Sequence, residues 1–253
     1  RRRVRAINPN AYIVGEIWHE AQRWLQGDQF DAVMNYLFTA ASLSFFAGPH
    51  LNMDVVSQAG GIKDRVHNLN AYEFSNELDR ILNLYPAEIT FAQLNLLDSH
   101  DMPRFLSCVN GDKDALKLAF LLMFTLPGAP CIYYGDEIGM DGGHDPECRK
   151  SFPWEHKDKW DMDLLEFTKT CATLRTKHTS LRRGVYKRLY AEGEVMAFER
   201  SHKKERLIVA FNTSKEVKII ELDVNKKPNV LFGKPGISGN KITIPPRSGI
   251  VLA

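Results

Sequence analysis

Three short apolar runs each lead into acidic residues, and this pattern limits the fold more than any other feature of the chain. Tyr12-Ile13-Val14-Gly15 leads into Glu16-Ile17-Trp18-His19. Phe91 to Leu97 leads into Asp98-Ser99-His100-Asp101-Met102-Pro103-Arg104. Cys131-Ile132-Tyr133-Tyr134 leads into Gly135-Asp136-Glu137. Each run is apolar on both faces and has no helical period, so each reads as a buried strand. Gly15 ends the first and permits close backbone approach. An acid placed where a buried strand becomes loop lies at the carboxyl edge of a parallel sheet, where such sheets bind ligands. A single such acid is as well explained by a solvated strand end. Three predict carboxylates around one rim.

Helical patterns fill the intervals. Arg1 to Ile7 reads as the tail of a helix, stopped by Asn8-Pro9-Asn10. The strand expected over Ala11 to Gly15 is followed by a short helix at Ala21 to Gln26 and a strand at Ala32-Val33-Met34. Leu37 to Phe46 is expected to be helical. From Asn70 to Tyr85, apolar residues at Ala71, Phe74, Leu78, Ile81, Leu82 and Tyr85 trace one helix face, and Pro86 ends it. Ala115 to Leu126 is apolar nearly all round and predicts a buried helix, broken by Pro127-Gly128-Ala129-Pro130. A long loop is expected from Gly135 to about Lys159, then a helix through Leu164, Phe167, Cys171 and Leu174. This alternation of strand and helix predicts an α/β fold with a parallel sheet.

The pattern changes near Arg183-Gly184. Short β-type runs follow at Val185 to Tyr190, Val195 to Arg200, Arg206 to Asn212, Val217 to Leu222, Asn229 to Leu231, Ile242 to Ile244 and Gly249 to Leu252. Turn signals separate them, which predicts an antiparallel sandwich. The expected organisation is therefore an α/β unit over residues 1–183 and an all-β unit over 184–253.

Composition closes off other classes. The 253 residues carry a formal net charge of +2, too small a bias for a nucleic-acid partner. The basic run Arg1-Arg2-Arg3-Val4-Arg5 reads as an exposed helix face in preference to a nucleic-acid or membrane contact. The longest apolar run, Ala119 to Leu126, is far short of a membrane span. Cys108, Cys131, Cys148 and Cys171 are scattered, which argues against a disulfide framework or a zinc site and favours a reducing, cytoplasmic compartment. The first residue is not Met, so the lack of a targeting segment leaves secretion open.

Taken in order, these segments resemble the alpha-amylase family of glycoside hydrolases. Ile13-Val14-Gly15-Glu16-Ile17-Trp18 is similar to that family's fifth barrel-strand motif, and Asp31-Ala32-Val33-Met34-Asn35-Tyr36 fits the sixth. Leu96-Leu97-Asp98-Ser99-His100-Asp101 is similar to the seventh, and Pro127 to Glu137 to the eighth with its entry. Asp141-Gly142-Gly143-His144-Asp145-Pro146-Glu147-Cys148-Arg149-Lys150 narrows the resemblance to the neopullulanase, cyclomaltodextrinase and maltogenic-amylase group. The resemblance implies strands five to eight of a TIM (β/α)8 barrel followed by the family's C-terminal β domain.

It also implies roles. Glu16 would be the general acid, its pKa raised by an aromatic, partly dry setting. Asp101 would stabilise the transition state through the sugar's 2- and 3-hydroxyls, and His100 would share that contact, unless it only tethers two loops. Trp18 would be a sugar platform or else a core tryptophan. Tyr36 would line the same side or simply end a strand. Asp145 and Arg149 would close the cleft's non-reducing end or form a surface ion pair. Asp136 and Glu137 are expected to satisfy backbone groups, with no catalytic part.

The family's nucleophile, an Asp in a Gly-x-Arg-x-Asp pattern, should lie upstream of Arg1. The implied activity is retaining hydrolysis of α-1,4-glucosidic bonds in maltooligosaccharides, cyclodextrins, pullulan or starch. The alternatives are glucan transglycosylation or sucrose isomerisation, which share the same carboxylates, or a non-catalytic carbohydrate-binding fragment. No cofactor or metal site is expected in this chain. Calcium would belong to the half that precedes it. The expected partners are the carbohydrate, that preceding half and a second copy of the protein. Without its other half the chain is expected to be inactive and to dimerise or aggregate.

Overall fold

In the computed structural model, which describes residues 1–225 and 228–253, four short parallel strands run side by side in chain order. Helix α1 (Arg2–Ile7) precedes β1 (Val14–Gly15), which pairs with β2 (Ala32–Val33). Then come α2 (Tyr36–Phe46), α3 (Met53–Val56), α4 (Ala71–Leu82) and α5 (Ala87–Ala92), leading to β3 (Leu94–Leu96). A parallel bridge between Met34 and Leu94 joins β2 to β3. Helices α6 (Phe105–Cys108) and α7 (Lys113–Thr125) lead to β4 (Ala129–Cys131), which lies parallel to β3. Helices α8 (Met162–Lys177) and α9 (Thr179–Arg183) end this part.

Local chemistry explains most boundaries. The Asn70 side chain accepts from Glu73 N and the Glu73 carboxylate accepts from Asn70 N, a capping box that starts α4. Its apolar stripe, Ala71, Phe74, Leu78 and Ile81, is buried as the periodicity predicts. Asp112 caps α7, whose remaining length is buried on nearly every side. Gly15 sits so close to the Phe30 ring that a Cβ there would lie 2.6 Å from it.

Three strand expectations need correction. The first strand is confined to Val14–Gly15 and is buried only at Gly15: Val14 is 38% exposed, and Tyr12 before it 50%. Among the described residues it pairs on one side only, so its outer edge is unpaired. Phe91 and Ala92 end a helix instead of opening a strand. Pro86 presets φ for that helix, and no helical period is visible in so short an apolar stretch. The fourth strand is Ala129–Cys131, displaced toward the Pro-Gly segment expected to break the chain. Pro130 is tolerated because β4 is an edge strand whose missing N–H faces no partner.

Beyond Gly184 every regular element among the described residues is a strand. Strands β5 (Val185–Glu192), β6 (Val195–His202) and β7 (Glu205–Asn212) form an antiparallel meander. Strands β8 (Lys218–Glu221), β9 (Val230–Phe232), β10 (Gly236–Ser238), β11 (Lys241–Ile244) and β12 (Ser248–Leu252) follow. One sheet has the order β5-β6-β7-β12-β9 and the other β10-β11-β8. Strand β10, rich in Gly and Ser, gave no sequence signal.

The central strands are buried on both faces. Val195, Ala197, Ile208, Ala210, Ile250 and Leu252 meet Ile220, Leu222, Ile242 and Ile244 of the smaller sheet. The alternate residues Met196, Phe198, Leu207, Val209, Phe211 and Val251 share one core with α2, α4 and α7. Phe46 and Phe211 rings lie 5.5 Å apart in that core. Two buried arginines reinforce the join. Arg175 donates to Phe124 O and Leu126 O, and Arg200 donates to Thr125 O and Gly184 O. They satisfy carbonyls at the C-terminus of α7, which has no further turn to accept them.

Candidate active site

Parallel strands in one sheet end on the same side, so the loops after β1, β3 and β4 meet at one rim. There Glu16, His100 and Asp101 each bring a side-chain ligand atom within 4.8 Å of the others. Glu16 and His100 are exposed and Asp101 is half-buried. Among the described residues this is the one cluster with the composition and spacing to hold a metal ion. The same three groups suit the hydroxyls of a sugar ring.

Glu16 is held from below. The Tyr36 hydroxyl lies 3.0 Å from Glu16 Oε1 and 2.8 Å from Ser99 Oγ. Ser99 Oγ in turn accepts from Asp101 N at 3.2 Å. A tyrosine has one proton to give. When Tyr36 donates it to Glu16, Ser99 must donate to Tyr36, and the chain of bonds links the acid to the Asp101 turn. Burial first, and then the negative charge of Glu16, push the Tyr36 phenol far up, so it stays a neutral donor.

Trp18 stacks on Tyr36 with centroids 3.7 Å apart and planes within 9°. It is half-buried against the main core, so one ring face is committed to Tyr36. Tyr36 itself is 1% exposed. The expectation that it lines the cleft is therefore corrected: as the first residue of α2, it points inward under the rim. Its ring supports Trp18 and its hydroxyl contacts Glu16. Glu16 itself is exposed in this chain.

Arg149 ties the remaining residues together. Its Nη2 donates to Asp101 Oδ1 at 2.8 Å, and its Nε lies 2.9 Å from His100 O and 3.0 Å from Asp145 Oδ1. The Asp145–Arg149 pair is thus joined to the catalytic candidates and does not stand apart on the surface. His100 Nε2 is 3.4 Å from Asp101 Oδ1, long for a hydrogen bond but within ion-pair range when the imidazole is charged.

Beneath the rim lies a group that sequence reasoning missed. Asp98, Arg104 and Asp136 are all buried. Arg104 Nη1 donates to Asp136 Oδ1 at 2.8 Å and to Tyr134 O at 2.9 Å. Asp98 Oδ2 accepts from Phe105 N at 2.6 Å. Glu137 does accept from a backbone group, Gly135 N, as expected. Asp136 does not: its partners are Arg104 and Asp98. The available signal was the apolar setting of all three residues, with Leu96-Leu97 before Asp98 and Phe105-Leu106 after Arg104.

A separate cavity of about 690 Å³ opens between α2 and α4, lined in part by Glu20, Ser44, Arg65, His67, Glu77 and Arg80. It includes none of the rim residues. Among the described residues, no helix is long and apolar enough to cross a membrane.

Residues 1–164 match the alpha-amylase catalytic-domain family. The chain belongs to the alpha-amylase family of glycoside hydrolases. More closely, it is similar to enzymes named cyclomaltodextrinase, neopullulanase and maltogenic amylase. A Bacillus cyclomaltodextrinase is 45% identical over 218 residues, 85% of this chain and 36% of that protein. Neopullulanase 2 of Thermoactinomyces vulgaris is 38% identical over 100% of this chain and 42% of its own length. The debranching enzyme of Nostoc punctiforme superposes with a TM-score of 0.90 at 38% identity, over 100% of this chain and 53% of that one. The chain thus spans well under half of these two curated relatives and about half of that solved structure.

Proposed function

We propose that the enzyme carrying this chain hydrolyses α-1,4-glucosidic bonds of maltooligosaccharides, cyclodextrins or pullulan with retention of configuration. The observation that supports this most is the convergence of Glu16, His100 and Asp101 at the strand ends. Retention needs a protonated carboxyl and an ionised one about 5 Å apart across the scissile bond. In this reading Glu16 protonates the departing oxygen. Asp101 and His100 grip the hydroxyls of the cleaved sugar and tighten as positive charge develops, which is differential binding of the transition state. Trp18, two residues beyond the acid, serves as the apolar platform for a glucose ring. Arg149 and Asp145 close one end of the cleft, which suits short or cyclic glucans.

The nucleophile is assigned to a strand outside this chain. On that reading residues 1–183 are strands five to eight of the barrel and residues 184–253 the C-terminal β domain. The chain alone would then be inactive, since losing one member of a catalytic set removes most of the rate. The unpaired outer edges of β1 and β4 would await the other half of the barrel, or pair with a second copy. Four unpaired cysteines suit a cytoplasmic setting. Any calcium is assigned to the half outside this chain.

The test is the Glu16→Gln variant of the full-length enzyme on cyclodextrin and pullulan, with product anomers followed by NMR. Turnover equal to the parent's would remove Glu16 from the mechanism. Inverted products would remove the retaining pathway.

A further inference from the structure

The turn that carries His100 and Asp101 is closed at its base by a buried triad. Asp98 stands immediately before the turn and Arg104 immediately after it, and both meet Asp136 from the loop beyond β4. We propose that Arg104 is a positioning residue for the His100–Asp101 turn, held by Asp136, which shares one proton with the facing carboxyl of Asp98.

The first argument is geometric. Asp98 reaches across the turn to accept from Phe105 N, closing a loop of backbone around His100 and Asp101. Arg104 pins the far side to the β4 loop through Asp136 Oδ1 and Tyr134 O. Its guanidinium lies 4.5 Å from the Tyr133 ring centroid and 5.0 Å from that of Tyr134. Its own N donates to Gly142 O at 2.9 Å. The side chain is fully buried, so it touches no substrate and acts only by fixing the turn.

The second argument is a count of protons. Two carboxyls and one guanidinium would leave a net negative charge buried in the protein, which is strongly unfavourable. Asp98 Oδ1 has no donor when both acids are ionised. Asp98 and Asp136 nevertheless face each other as hydrogen-bonding partners. A proton on one of them supplies the missing donor and brings the triad to zero charge. Burial pushes both acids above the usual carboxylate range, Asp136 the further. The neighbouring thiols of Cys108 and Cys131 are raised by burial and stay neutral, so they add no charge to this count.

The test uses the full-length enzyme. Asp136→Asn imitates the protonated acid, since its amide accepts from Arg104 and donates to Asp98. It should keep kcat within about twofold and raise or preserve Tm at pH 7. Asp136→Ala strands the arginine and should lower both. Infrared difference spectra at pH 7 should show a protonated carboxyl band in the parent that Asp136→Asn removes. Arg104→Met should lower kcat on cyclodextrin at least tenfold with KM little changed, and shift the His100 imidazole signal in NMR. Arg104→Lys should restore part of both.

An Asp136→Asn variant as damaged as Asp136→Ala, or no such band, overturns the shared proton. Arg104→Met with unchanged kcat and an unmoved His100 signal overturns the positioning role. The inference shares its catalytic setting with the proposed function. The infrared band and the His100 signal need no turnover, so an enzyme inactive on every glucan would sink that reading without deciding this one.

Discussion

The two sheets of this protein are built on opposite terms. In the parallel sheet, β1 to β4 are each only two or three residues long and their outer edges are unpaired. In the larger antiparallel sheet, β5, β6 and β7 are each eight residues long, and the central strands are buried on both faces. The antiparallel sheet is secured by its own ladder and two apolar layers. The parallel sheet depends on the helices packed behind it and on polar anchors at its rim. This contrast teaches where function sits. The short strands spend little of their length on pairing, and their loops carry every candidate catalytic residue.

The sharpest way to break the comparison is to strike the rim without touching the core. Glu16→Gln in the full-length enzyme should lower kcat on cyclodextrin by about 10²–10⁴-fold, the usual worth of a general acid. Its thermal melt should be unchanged, because Glu16 is exposed.

Next is a strike at the shared core. Phe211→Ala should cost about 3–5 kcal/mol by urea unfolding. Phe211 packs on both Phe46 and Phe198, so near- and far-ultraviolet signals should be lost in one transition. Two separated transitions would mean that the β unit stands independently of the helices.

Tyr36→Phe sharpens the account of the rim. It keeps the stack on Trp18 and deletes the bond to Glu16. The loss should be about 1.5–3 kcal/mol in kcat/KM, the range for a hydrogen bond to a charged group, with the tryptophan fluorescence maximum unmoved. A rate equal to the parent's would show that Glu16 needs no support from below.

The smallest effect tests the helical layer. Asp161 caps α8 through Leu164 N and meets Lys113 of α7 at 2.6 Å. The bond to Lys113, followed by that to Leu164 N, holds the Asp161 carboxyl below its usual range. The lowered value means that stability from Asp161 is present above the unfolded carboxylate pKa, about 3.9. It is lost as pH falls through the lower folded value. Asp161→Ala should cost about 1 kcal/mol at pH 7. The gap between variant and parent should close below that folded value, as thermal melts across the acid range would record.

Much of this protein was legible before any coordinates. Glu16, His100 and Asp101 were readable as rim residues because side chains after parallel strands share one edge whatever the packing details. The buried stripe of α4 and the two-sided strands β6 and β7 were readable because burial imposes periods of 3.6 and 2 on the sequence. Tertiary structure alone decided that Tyr36 turns inward beneath Glu16, that Arg149 bridges Asp101 and Asp145, and that Asp98, Arg104 and Asp136 meet underground. It alone set the roles of Arg175 and Arg200 as caps of α7. The physical reason is common to all of these. Periodicity records how a residue relates to its neighbours along the chain. A hydrogen bond between charged or polar groups tens of residues apart depends on where separate elements dock, and leaves no period to read.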